Sequence, residues 1–238
     1  MDKQHREDLK KDQFVETVGH SVQFVAGHKQ QLYTYGGLAL AAVLVALGVY
    51  WYTGNKHATE QAALSKALQI KQAVIGMAAQ PGDHRPSFPT EADKKKALLK
   101  ALNEVASQHS GSDAAAVALY QLGVVSADAG DMPEAAKQFA KAAAESSGRE
   151  YVSAAKLALA QVQQALGKNA DAEKLLRELV ASPTMVVSKE QALFTLARLL
   201  AASNPAEARK LINPLQNDAR PVIARNAVAL LGELPAAQ

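Results

Sequence analysis

The sequence predicts an all-α chain, with a single N-terminal transmembrane helix followed by an α-solenoid of helix pairs. Three observations carry this expectation. Residues 32–52, LYTYGGLALAAVLVALGVYWY, contain no charged side chain. The remainder is rich in Ala and Leu and poor in aromatic and β-branched runs, a composition that favours helices. Glycine and asparagine hinges then recur between apolar-striped segments at the spacing of a helix pair.

The apolar run comes first. At 1.5 Å per residue its length suffices to cross a hydrocarbon core of roughly 30 Å. Leu32, Tyr33 and Tyr35 stand at one end, and Tyr50, Trp51 and Tyr52 at the other. Aromatic rings with polar tips favour both interfaces of a bilayer, so the two clusters bracket the run as anchors. Gly37 and Ala41 are four apart, as are Ala42 and Ala46; small residues at that spacing let helices approach closely. The alternatives are a buried core helix and a cleaved signal peptide. Against the second, the run starts far from Met1, exceeds the length of an h-region and lacks a clear A-x-A flank. The chain thus divides into a tail (1–31), a membrane helix (32–52) and a helical repeat domain (53–238).

In the tail, Phe14, Val15, Val18, Val22 and Val25 recur at helical spacing. They predict a short amphipathic helix that lies in the interface, packs on a partner or continues the span, with a break near Gly27. Beyond the membrane helix, an apolar stripe predicts a helix from about His57 to Ala79. The run Pro81 to Pro89 reads as a loop, because three prolines and a glycine cannot continue a helix. Thr90 with Asp93 resembles a capping box and opens a helix from about Glu91 to Gln108.

Helix pairs follow at about 113–129 and 132–146, 150–166 and 169–181, and 188–202 and 205–217, with a last helix at about 219–232. The hinges are Gly130-Asp131, Gly167-Lys168 and Asn204-Pro205. Ala135, Ala172 and Ala208 recur at intervals close to the roughly 34 residues of a tetratricopeptide unit. In the first unit Leu119, Leu122, Gly123, Gly130, Ala135, Phe139 and Ala142 occupy that pattern's large, Leu, Gly, turn-Gly, Ala, Phe and Ala positions. Ser126 stands at its Tyr position and Ser147 at its Pro position. The second unit keeps Leu159, Ala160, Gly167, Ala172 and Leu176, with Leu for Phe. The third keeps Leu193, Leu196, Ala197, Ala208, Ile212 and Leu215, but its turn is a residue short. Such units stack so that neighbours bury one continuous core and leave a concave, aromatic-poor groove for a peptide or partner helix. The alternative is an irregular bundle with chance repeats.

The absence of cysteine excludes disulfides, thiolate metal sites and a cysteine nucleophile. The formal net charge of +3 is small and its charges alternate in sign, unlike a nucleic-acid footprint. Lys94-Lys95-Lys96 reads as a solvated run or a contact for a partner or lipid headgroup. No H-E-x-x-H, P-loop, G-x-G-x-x-G or nucleophile elbow is present, and the histidines are scattered. The expectation is a binding protein without cofactor, metal or turnover.

A tail, one membrane helix and a degenerate tetratricopeptide domain together resemble the YfgM-type family of bacterial inner-membrane proteins. The residues that carry the likeness are Gln30–Tyr52 and the repeat positions around Leu122, Gly123, Gly130, Ala135 and Phe139. The resemblance implies a cytoplasmic tail and a periplasmic repeat domain. It implies an ancillary place at the Sec translocon, linking it to periplasmic chaperones or emerging, unfolded chains. The local lysines run the other way. Only Lys29 precedes the helix, whereas Lys56, Lys66 and Lys71 follow it, and the positive-inside rule read literally gives a cytoplasmic domain. Large domains, however, translocate largely regardless of charge.

Overall fold

A computed structural model describes residues 29–76, 85–145 and 149–235. The tail helix expected at Phe14–Val25 and the break at Gly27 lie outside the described residues, as do residues 77–79 of the helix expected to reach Ala79, residues 81–84 of the expected loop, and Ser147. The chain falls into two compact units, Met1–Ala58 and Thr59–Gln238.

The described part of the first unit is helical. It belongs to α1, Lys29–Lys71, whose last turns from Thr59 enter the second unit. Along it Tyr35, Leu38, Leu40, Val43, Leu44, Val45, Leu47, Val49, Tyr50 and Trp51 are all exposed. Among the described residues one helical stretch, Gly37–Lys71, is long and apolar enough to cross a membrane. Its polar side chains are thrifty: the Thr53 hydroxyl donates back to the carbonyls of Val49 (2.9 Å) and Tyr50 (3.1 Å), which satisfies it without water.

The second unit is a chain of antiparallel helices. After α1 come two short strands, β1 (Val74–Ile75) and β2 (Ser87–Phe88), which pair in parallel with Val74 opposite Ser87. Then follow α2 (Glu91–Gln108), α3 (Asp113–Asp128), α4 (Met132–Ala143), α5 (Arg149–Ala165), α6 (Asn169–Ala181), α7 (Lys189–Leu200), α8 (Pro205–Ile212), a 3₁₀ turn (Asn213–Asn217) and α9 (Pro221–Glu233). From α2 to α8 each helix packs on the next, and α3 also reaches α5. Helix α9 closes the end by packing on α7, α8 and the 3₁₀ turn.

Two stretches depart from the sequence-based expectation. The helix expected to reach Ala79 ends at Lys71. Gln72 and Ala73 donate to the carbonyls three residues back, and the Val74 amide turns away to the Pro86 carbonyl (2.9 Å). The Gly76 amide donates to Phe88 (3.1 Å), so residues 87 and 88, expected as loop, form a strand. Long-range pairing here overrides a local helical stripe. At the other end, the helix expected over 205–217 stays α-helical only to Ile212, because Pro214 has no amide hydrogen to continue the ladder.

The hinges have a common mechanism. At the end of α3, Gly130 takes φ +78°. Its amide donates to Ala127, and the Asp131 amide donates to Ser126 (both 2.9 Å), which satisfies two terminal carbonyls. Asp131 then caps α4 by accepting from the Glu134 amide (3.1 Å). Gly167 and Lys168 repeat the carbonyl pairing on Gln164 and Gln163. The third hinge uses Asn204 alone, whose side chain accepts from Glu207 (3.1 Å). The helix start expected at Ser112 or Asp113 is capped by Ser112, a buried hydroxyl that accepts from the Ala115 amide (3.1 Å).

The cores explain the alanine content. Helix α3 is hemmed in by α2, α4 and α5, and Ala114, Ala115, Ala116 and Ala118 are fully buried. Alanine lets those backbones approach on several sides. One core joins Leu64 and Ala67 of α1 to Leu98, Leu102 and Val105 of α2 and to Leu119 and Leu122 of α3. A second runs from α5 to α9 through Leu176, Leu196, Ile212 and Leu230. A small cluster of Ala135, Phe139, Leu159 and Val162 binds the first repeat to the second.

Candidate protein-interaction surface

The structure places the pattern residues of the repeats in the interior. Leu119, Leu122, Ala135, Phe139 and Ala142 are buried, as are Ala172, Leu176 and Ala208. Gly123 lies flat against the Phe139 ring. A Cβ on residue 123 would sit 2.6 Å from two ring carbons. Tyr120 meets the same ring at 5.5 Å between centroids, tilted by 53°. Gly130 and Gly167 are the turn residues just described. These side chains build the scaffold and are unavailable to a ligand. In α1, Tyr35, Gly37, Ala41, Tyr50 and Trp51 are exposed, and Leu32, Tyr33 and Tyr52 lie within the same helix.

The third unit differs, because two of its pattern residues, Leu193 and Leu215, line a concavity. This concavity is a cleft of about 800 Å³ formed by α6, α7, α8 and the 3₁₀ turn. Val180, Leu193, Leu211 and Leu215 give it an apolar floor. Lys189, Glu190, Glu207 and Lys210 form its charged rim.

The rim carboxylates are engaged. Glu207 accepts from Arg177 of α6 (2.6 Å), which also holds Glu173 of its own helix (2.7 Å). Glu190 accepts from Arg220 (2.9 Å), which also forks onto Asp218 (2.8 Å). Hydrogen bonds from Arg220 hold the Asp218 carboxyl down at about 2 and lower that of Glu190. The hydrogen bonds that Arg177 donates to Glu207 and Glu173 raise its guanidinium further above its already high value. All of these pairs are partly exposed, so they shape charge and register more than stability.

A second exposed feature is the loop before α7. Glu150 accepts from the Val186 amide (3.1 Å), and the Ser153 and Thr184 hydroxyls share a hydrogen bond of 2.8 Å. The loop is fastened to α5 in this way while Met185 remains 96 % exposed.

The lysine run is split in its roles. Lys94 donates to the Ala73 carbonyl (2.9 Å) and secures the turn after α1, whereas Lys95 and Lys96 face solvent. Among the described residues no group of three or more His, Asp or Glu side chains could hold a metal. Neither the cleft nor its ion pairs were readable from motifs. They join residues about thirty apart, such as Arg177 with Glu207 and Glu190 with Arg220. The available signal was weak: salt-bridge-forming residues at the unusual third hinge.

Comparison with known families decides the architecture's identity. The profile of the tetratricopeptide repeat-like domain matches residues 29–190. The chain belongs to that family. The match begins where α1 begins, takes in the whole apolar run and the first two helix pairs, and stops in the first turn of α7. No curated protein and no solved structure matches the chain. Tetratricopeptide-like repeats are protein-interaction scaffolds, built to present surface rather than to assemble catalytic groups. The cleft lies mostly beyond the matched stretch, on the third helix pair and its cap.

Proposed function

We propose that this protein is a membrane-anchored interaction module and an ancillary subunit of the Sec translocon. The apolar run of α1 is its anchor, residues 1–31 form a cytoplasmic tail, and the repeat domain from residue 53 lies in the periplasm of a bacterial inner membrane. It links the translocon to periplasmic chaperones or to emerging unfolded chains. It works by binding, without cofactor or turnover.

The observation that carries the membrane reading is the exposed, charge-free length of α1 from Tyr35 to Trp51. In water so long an exposed apolar helix would have to be covered, and a bilayer covers it on all sides. The scaffold reading rests on the repeat family. The translocon reading rests on the resemblance of the whole arrangement to the YfgM-type proteins. A scaffold for another envelope assembly machine uses the same fold and anchor.

A second reading, a cytoplasmic adaptor tethered to the membrane, is favoured by Lys56, Lys66 and Lys71 following the helix. One experiment separates the topologies. Ser87 is exposed and the chain has no native thiol, so Ser87→Cys reports the position of the repeat domain. Labelling of spheroplasts by a membrane-impermeant thiol reagent supports the periplasmic reading. Labelling only after lysis removes it and installs the cytoplasmic adaptor. Photocrosslinkers at positions 37 and 41 then name the membrane partner. A crosslink to translocon subunits is expected, and crosslinks to another assembly machine alone would overturn the translocon assignment.

A further inference from the structure

Helix α9 closes the end of the helix stack, yet its outer face is not that of an ordinary cap. A stack of repeats ends in water, so its last helix normally presents polar side chains outward. On α9 Val222 is 59 % exposed and Val228 56 %. Ala229 and Gly232 are exposed as well, and a Cβ on Gly232 would meet nothing within 4 Å. The face carries two charges, Arg225 and Glu233, both exposed. Neither is engaged elsewhere in the fold. Arg225 makes one long bond of 3.4 Å, to the Pro221 carbonyl of its own helix. Glu233 makes no hydrogen bond or ion pair among the described residues.

The placing of those two charges selects the occupant. Arg225 and Glu233 stand on either side of Ala229, each four residues away, which is about 6 Å along the axis. A second α9 laid antiparallel across the first, with Ala229 at the crossing, sets each Arg225 opposite the Glu233 of the other copy. Asn226 then faces Gly232, and Ala229 faces itself, so small residues stand where the backbones approach. A parallel pairing in register would set Arg225 against Arg225. We infer that α9 is an interface between two copies of this chain, paired antiparallel about a twofold axis at Ala229. A twofold interface must be complementary to itself, and this face is. The apolar contact of the valines supplies attraction, and the two ion pairs fix direction and register. The helix is also held before a partner arrives. Arg220 ties its start to Glu190 of α7 (2.9 Å), and Arg209 of α8 donates to the carbonyls of Leu234 (2.7 Å) and Pro235 (2.8 Å) at its end. This assembly is independent of the translocon reading.

The test uses the full chain in mild detergent. Sedimentation velocity over a concentration series should show a reversible monomer–dimer equilibrium, since one helix face makes a small interface. Arg225→Glu alone, or Glu233→Arg alone, sets like charges opposite each other and should weaken dimerisation at least about tenfold. The two substitutions together restore opposite charges and should recover most of the loss. Lys96→Glu on α2 should leave the equilibrium unchanged. The chain has no native thiol, so the axis can be located directly. Under a mild thiol oxidant Ala229→Cys should form a disulfide-linked dimer, because position 229 meets itself, whereas Ser87→Cys should not. All of these positions are exposed apart from Lys96, which is half-buried, and circular dichroism of each variant verifies that the helices are retained.

A chain that stays monomeric throughout the series would overturn the inference. So would a double charge swap that recovers nothing, or a disulfide that forms as readily at position 87 as at position 229. A dimer that survives the single charge reversals but is lost on Gly37→Leu would place the contact in the apolar run of α1 and overturn it too. None of these results alters the topology read from Ser87→Cys or the crosslinks from positions 37 and 41, on which the proposed function stands or falls.

Discussion

The contact of Gly123 with Phe139 yields the sharpest prediction about this fold. Gly123 lies in the interior of α3, where alanine would ordinarily be the better residue by about 0.8–1 kcal/mol. Here an added Cβ would stand 2.6 Å from Cδ1 and Cε1 of Phe139 and 2.9 Å from Cγ. The ring cannot swing aside freely, because it is 3 % exposed and packs with Ala135, Leu159 and Val162. Overpacking of this kind costs about 1–3 kcal/mol. Set against the helix-propensity gain, Gly123→Ala should destabilise the repeat domain by up to roughly 2 kcal/mol. Thermal unfolding followed by circular dichroism should then show the midpoint lower by roughly 2–4 °C per kcal/mol. The decisive comparison is made in a Phe139→Ala background. That substitution alone removes a buried ring at a cost of about 3–5 kcal/mol. With the ring gone, adding Gly123→Ala should stabilise, by up to about 1 kcal/mol. The sign of one substitution thus depends on the other. If Gly123→Ala stabilises the wild-type chain, or has the same sign in both backgrounds, the packing argument is refuted.

Three further outcomes follow from the structure. Ser112→Ala removes the buried N-cap of α3 and should cost about 1 kcal/mol in the same melting assay, with Ser112→Asp recovering most of it. Gly130→Ala forces a Cβ onto a residue with φ +78° and should cost about 1–2 kcal/mol, although the surrounding space is open; Gly130→Asn should cost less. The Asp218 carboxyl is held at about 2, below its value near 3.9 in an unfolded chain. Its contribution to stability is therefore complete above pH 4 and lost as the pH falls towards 2. In urea titrations across that window, Asp218→Asn should flatten the acid-side decline, and an unchanged slope would deny the Arg220 pairing its role.

The sequence made the helices legible because each is punctuated by chemistry that acts locally. Glycine at 130 and 167, Asp131 and Asn204 at helix starts, and proline at 205 mark boundaries that neighbouring residues alone enforce. The helix from Glu91 to Gln108 accordingly falls where its stripe and cap put it, and that from Asn169 to Ala181 begins just past its Gly167-Lys168 hinge. The pairing of Val74–Ile75 with Ser87–Phe88 was not legible. Two residues have no period, and their partner lies beyond a proline-rich stretch that reads as loop. The cleft was hidden for a related reason. Its floor draws single residues from α6, α7, α8 and the 3₁₀ turn, and each of these looks like an ordinary helical apolar position in its own segment. Thr90 and Asp93 form half of a capping box. Thr90 accepts from the Asp93 amide (3.1 Å), but the shorter Asp carboxylate meets the Thr90 hydroxyl (2.8 Å).

The small parallel strand pair has a mechanical meaning. The chain enters it at Val74 and leaves it at Phe88, and in a parallel pair those two points are at opposite ends. Tension applied along the backbone between α1 and α2 therefore loads the bonds from Val74 to Pro86 and from Gly76 to Phe88 side by side, in shear, instead of unzipping them one after another. The Lys94 bond to Ala73 resists the same displacement. A force of this kind would be borne across the strand pair, with its two bonds failing together.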